Sequence, residues 1–108
     1  MSAPPLDNRI FQTLADPSRR AIFESLWDGE AAVKELTARF DLSQPAISQH
    51  LASLREAGLV RGRRDGRCVY YAVEPTGLEP LVGWIAHYRA FRANRLGQLE
   101  QLLERMDP

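Results

Sequence analysis

The stretch Leu42-Ser43-Gln44-Pro45-Ala46-Ile47-Ser48-Gln49-His50-Leu51, continued by Leu54-Arg55-Glu56-Ala57-Gly58-Leu59-Val60, decides the fold. Ser43 is a good N-cap, its side-chain oxygen able to take up an orphan N–H of a helix start. Ile47, Leu51 and Leu54 follow the 3-4 spacing of one buried helical face. Gly58 suits the left-handed position just past a helix end. The spacing predicts a helix from Ser43 to about Ala57. Gln44, Ser48, Gln49 and Ala52 lie away from the apolar face. That surface is short, polar and free of acids, and Ser and Gln hydrogen-bond base edges or phosphates without like-charge repulsion.

Upstream, Asp41-Leu42 reads as a short turn after a helix at about Val33–Phe40 that buries Val33, Leu36 and Phe40. Residues 33–57 are thus expected to form a helix-turn-helix. Downstream, Leu59–Arg64 and Arg67–Val73 flank Asp65-Gly66, a type I′ hairpin signal. Counting outward from that turn puts Val60, Val69, Tyr71 and Val73 on a core face, and Arg61, Arg63, Cys68 and Tyr70 on the other. A hairpin with an apolar base and arginines crowding its tip suits a DNA backbone or minor groove. The expected fold is mainly α with a β-hairpin wing at 59–73, a winged helix-turn-helix.

The flanks are helical. Met1–Pro5 reads as a loose end. Leu6, Ile10, Phe11 and Leu14 mark a first helix, and Asp16-Pro17 starts a second that carries Ile22, Phe23 and Leu26 to a stop at Asp28-Gly29. These two helices occupy 6–29. Thr76-Gly77-Leu78-Glu79 has the form of a capping box opening a helix over 76–106. Leu81, Ile85, Tyr88 and Phe91, then Leu96, Leu99, Leu103 and Met106, keep an apolar stripe along it. A helix so long, with a stripe from end to end, asks for a partner. With the first helix it is expected to build a homodimer through Ile10, Leu14, Leu81, Ile85, Tyr88, Leu96, Leu99 and Leu103.

The chain of 108 residues fits one domain, 1–108. Lys plus Arg equals Asp plus Glu at 14 each, which by itself argues against a nucleic-acid partner. Distribution matters more: between Ser43 and Tyr71 five arginines face two acids. No apolar run approaches the roughly 20 residues of a membrane span, and the start MSAPPLDNR lacks a signal-peptide core. A single cysteine cannot close an internal disulfide, so a cytoplasmic setting is expected. No Ser/His/Asp set, nucleotide loop or paired acids point to an enzyme.

The stretch from Leu42 to Val60, the Gly-Arg…Tyr-Tyr wing after it and Leu14-Ala15-Asp16-Pro17-Ser18-Arg19-Arg20 before it resemble the ArsR family of bacterial winged-helix repressors. The resemblance covers about Ile10 to Val73 with motifs in order, and the last helix more loosely. It implies a homodimer of four helices, a wing and a fifth helix, with the helix at Ser43 reading an inverted-repeat operator. It also implies repression, autoregulatory in one form, and in many members release by a ligand. An inducer here would be an unidentified small molecule. Members that sense soft metals carry Glu-Leu-Cys-Val-Cys where this sequence reads Glu30-Ala31-Ala32-Val33-Lys34. Those that bind zinc on the last helix need paired Asp and His, and His87 stands alone. The resemblance is therefore to the metal-independent branch, with no metal or cofactor expected.

The residues expected at double-stranded DNA are Ser43, Gln44, Pro45, Ser48, Gln49 and His50 on the helix and Arg61, Arg63, Arg64 and Arg67 on the wing. His50 either touches a phosphate or, one residue before buried Leu51, is a packing or capping histidine. Arg19 and Arg20 either reach phosphate or are solvated. Trp27 and Trp84 read as core or interface, and Cys68 as a passive strand residue or a thiol sensor. Two other functions stay open: a winged-helix scaffold for protein contact, and a DNA-binding redox sensor acting through Cys68.

Overall fold

The computed structural model describes residues 8–106. Two compact units are described separately, residues 8–78 and the long C-terminal helix. In the first, α1 (Asn8–Ala15), α2 (Pro17–Ser25), β1 (Ala31–Ala32), α3 (Val33–Arg39), α4 (Gln44–Glu56), β2 (Val60–Asp65) and β3 (Cys68–Val73) follow in order. A 3₁₀ turn at Pro75–Leu78 closes it, and α5 (Glu79–Met106) is the second unit. Leu6 and Met1–Pro5, read above as helix start and loose end, lie outside the described residues.

Local chemistry sets the helix ends. Asp16 accepts a hydrogen bond from the Arg19 N–H at 3.0 Å, with Pro17 at the first helical position of α2. Ser43 does the same for Ala46 at 3.3 Å. Ala32 has no side-chain oxygen to cap α3, so only the returning half of a capping box forms, Glu35 accepting from the Ala32 N–H at 3.2 Å. At the end of α4, Gly58 takes φ +77°. Its N–H donates to Arg55 at 3.0 Å and that of Leu59 to Leu54 at 2.9 Å, the paired bonds of a Schellman motif.

One core results. Ile22, Phe23 and Leu26 of α2, Leu36 of α3, and Ile47, Leu51 and Leu54 of α4 pack together with Ala31, Leu59 and Val60. Trp27 is not core: it is 64% exposed, its ring edge-on to Phe23 at 6.1 Å between centroids.

The sheet is antiparallel in the order β1-β3-β2. β1, two alanines paired with Tyr70 and Tyr71, has no periodic signal in the sequence. The hairpin turn corrects the expectation. Asp65 pairs with Cys68, so the turn residues are Gly66-Arg67. Gly66 has φ +64° and Arg67 is not in the left-handed region, which suits type II′ and excludes type I′. Val60 therefore faces Val73, two residues beyond the Tyr71 that an Asp65-Gly66 turn would set opposite it. An even shift keeps every side chain on its face.

α5 also begins later than expected. With Thr76 as N-cap, the first intrahelical bond would need an N–H from Pro80, which has none. The helix starts at Glu79 instead, placing Pro80 in its first turn, and the Thr76 hydroxyl donates to Glu74 at 3.0 Å.

Candidate nucleic-acid interface

The two faces of α4 divide as the chemistry requires. Ile47, Leu51 and Leu54 are fully buried, whereas Ser43, Gln44, Pro45, Ser48, Gln49 and Ala52 are exposed. This gives a continuous acid-free surface of amide and hydroxyl groups along the first two turns. The Ser43 oxygen is already engaged as the cap. His50 departs from this surface. It is half-buried, and its Nδ1 is sealed from solvent without a hydrogen-bond partner. The nearby Asp16 carboxylate is held below its ordinary value chiefly by the Arg19 N–H, against the opposing effect of burial. The half-burial of His50 is in keeping with the packing alternative.

Arg19 and Arg20 have a role that neither sequence alternative named. The Arg20 guanidinium donates to the Leu14 carbonyl at 2.8 Å and that of Arg19 to Thr13 at 3.4 Å. They satisfy carbonyls in the last turn of α1, which has no helix continuing to do so. No one-sequence pattern signals this, because the i to i+6 reach depends on the tight α1–α2 corner.

The four wing arginines split into two pairs. Arg63 forms a forked pair with Glu30, at 2.6 and 3.3 Å, and lies 3.8 Å from Asp65 and 5.0 Å from the Tyr70 ring centroid. The Glu30 carboxyl is held below its usual range by that hydrogen bond, and Arg63 is correspondingly raised. Arg61 approaches Glu74 at 3.9 Å. Arg64 and Arg67 are exposed with no ion-pair or hydrogen-bond partner among the described residues. Strand alternation explains the split: Arg61 and Arg63 share one face of the hairpin, Arg64 points to the other, and Arg67 sits in the turn. Lys34, the only lysine of the sequence, and Arg55 of α4 are likewise exposed cations without such a partner among the described residues, and a reading that singled out the wing arginines passes over both. Cys68 is exposed beside the turn.

Of the side chains expected at a dimer face, Ile85, Tyr88, Leu96, Leu99 and Leu103 are exposed, and Leu81 and Leu14 are half-buried. Ile10 is 3% exposed within one chain, while neighbouring Phe11 is 45% exposed. Among the described residues no three His, Cys, Asp or Glu side chains are grouped to hold a metal, and no helix is long and apolar enough to cross a membrane.

Residues 16–61 match the model of the bacterial regulatory protein arsR family. The chain is 31% identical over 81 residues to the transcriptional repressor SdpR of Bacillus subtilis (strain 168), covering 75% of this chain and 90% of that protein. It is 46% identical over 81 residues to the HTH-type transcriptional regulator Rv2034 of Mycobacterium tuberculosis, covering 75% and 76%. The structure resembles an ArsR-like transcriptional regulator from Rhodococcus sp. RHA1 with a TM-score of 0.72, at 26% identity over 87% of this chain and 89% of that one. The winged helix-turn-helix, its acid-free helix face and these relatives agree, and the chain belongs to the arsR family of bacterial regulatory proteins.

Proposed function

We propose that the protein is a homodimeric transcriptional repressor that reads an inverted-repeat operator, its own promoter among the targets, with α4 in the major groove and the wing on the backbone. One observation carries this reading: the acid-free surface of Gln44, Ser48 and Gln49 lies on the same winged domain as two unpaired arginines, Arg64 and Arg67. Protein interfaces favour aromatic and aliphatic anchors at such a place, and this surface has none. The repressor named among its relatives supports the direction of control. Ala32 and Lys34 offer no thiolate where soft-metal sensors need two, so the inducer proposed is a small molecule and not a metal.

A gel shift with the DNA immediately upstream of its own gene tests this. Gln44→Ala or Ser48→Ala should cost roughly 1–3 kcal/mol and relax preference at one position per half-site. Arg67→Ala should weaken all sequences about equally. If both α4 variants keep wild-type binding while the protein still acts in the cell, α4 is not the reader and the scaffold function replaces it.

A further inference from the structure

A groove of about 280 Å³ opens between the start of α3, the start of α4 and the wing turn. Lys34, Gln44, Arg67, Cys68, Val69 and Tyr71 line it, with no acid among its walls. Lys34 comes from the helix-turn-helix side and Arg67 from the wing, and neither is neutralised within the described residues. The nearest acid in sequence, Glu35, is turned elsewhere, accepting from the Ala32 N–H and lying 3.8 Å from Arg39. This contrasts with the other hairpin face, where Glu30 and Glu74 hold Arg63 and Arg61.

Two unpaired cations bordering one groove repel each other, and a single anion between them relieves that repulsion. Arg binds phosphate through its planar fork and Lys as a point charge, so one phosphodiester can engage both. Apolar Val69 and Tyr71 suit the sugar edge of a nucleic-acid strand better than a small hydrated ion. We propose that this groove seats one phosphodiester of the DNA backbone, Lys34 and Arg67 holding it from two sides and locking the reading helix to the wing. The proposal rests on the DNA-binding reading above. Lys34 thereby becomes a grip residue outside both the recognition helix and the hairpin.

The test uses the full chain and a short mixed-sequence DNA duplex, because a backbone contact is independent of sequence. Lys34→Gln should flatten the log–log salt dependence of binding by about 0.9 for each engaged protomer, and Lys34→Arg should restore it. Cys68, the only cysteine of the sequence, reports occupancy without any substitution. Bound duplex should slow its alkylation by N-ethylmaleimide severalfold in the wild type. The proposal is overturned if the duplex binds yet Lys34→Gln keeps the wild-type slope, or if Cys68 reacts as fast in the complex as in the free protein. A wild type that binds neither this duplex nor its upstream DNA at low salt would sink the DNA-binding reading itself, a different result from either.

Discussion

Arg63 illustrates why counting cations along a strand overstates a binding surface. Its guanidinium is shared among Glu30, Asp65 and the face of Tyr70, so its net charge toward an approaching phosphate is largely cancelled. Glu30 lies 33 residues away, and only the fold brings it to β2. Glu30→Gln releases Arg63 while removing a negative charge. Nonspecific DNA binding should tighten, with a salt slope steeper by up to about 0.9 per protomer if the freed group reaches a phosphate. Fluorescence anisotropy across a salt series measures this, and an unchanged slope would show that Arg63 is irrelevant to grip. The same pair has a pH signature. Because the Glu30 carboxyl is held below its ordinary 4.5, its contribution to stability is complete above that value and is lost as pH falls through the lower folded value. Wild type should therefore lose its margin over Glu30→Gln only below about pH 4.5, and by a small amount, since the pair is solvent-exposed.

At the scale of elements, α4 was readable because its signals are local. The Ser43 cap, the apolar face and the Gly58 stop all act within a few residues, and each formed where the spacing placed it. Ser43→Ala leaves the Ala46 N–H without its acceptor and should cost about 1 kcal/mol in urea unfolding. Loss of stability without loss of the helix signal would match a cap; no change would mean that water replaces the hydroxyl. What stayed hidden depended on partners distant in sequence. β1 is two alanines made a strand only by β3, and the hairpin register hung on whether Gly66 opens or closes the turn. The start of α5 failed for a local reason, because one proline outweighed a capping pattern. The exposed polar face of α4 was legible in the sequence, and the pairing state of the cations around it was not. Ion pairs across the fold engage Arg61 and Arg63, and Lys34 lines a groove between elements that no local pattern announces.

For the whole molecule, a zero net charge and a DNA partner are compatible if the cations are concentrated and association is set by shape. α5 bears on the second condition. Across its 28 residues no side chain is buried in the single chain, and Ile85, Tyr88, Leu96, Leu99, Leu103 and Met106 remain exposed. Burial of apolar surface contributes about 25 cal/mol per Å², so a helix this apolar gains by pairing. Sedimentation at micromolar concentration should give twice the mass of one chain. Leu99→Asp puts a carboxylate into the proposed seam at a position that is half open in the single chain, so it should split the dimer and spare the fold. A twofold dimer sets two α4 helices about 34 Å apart, one per half-site. A monomeric Leu99→Asp variant then engages one half-site, releases counterions from one set of cations, and should show about half the wild-type salt slope on the same DNA. A variant that stays dimeric removes α5 from the seam. One that becomes monomeric yet keeps the full slope would mean that a single chain makes every phosphate contact, and the inverted-repeat operator would fall with it.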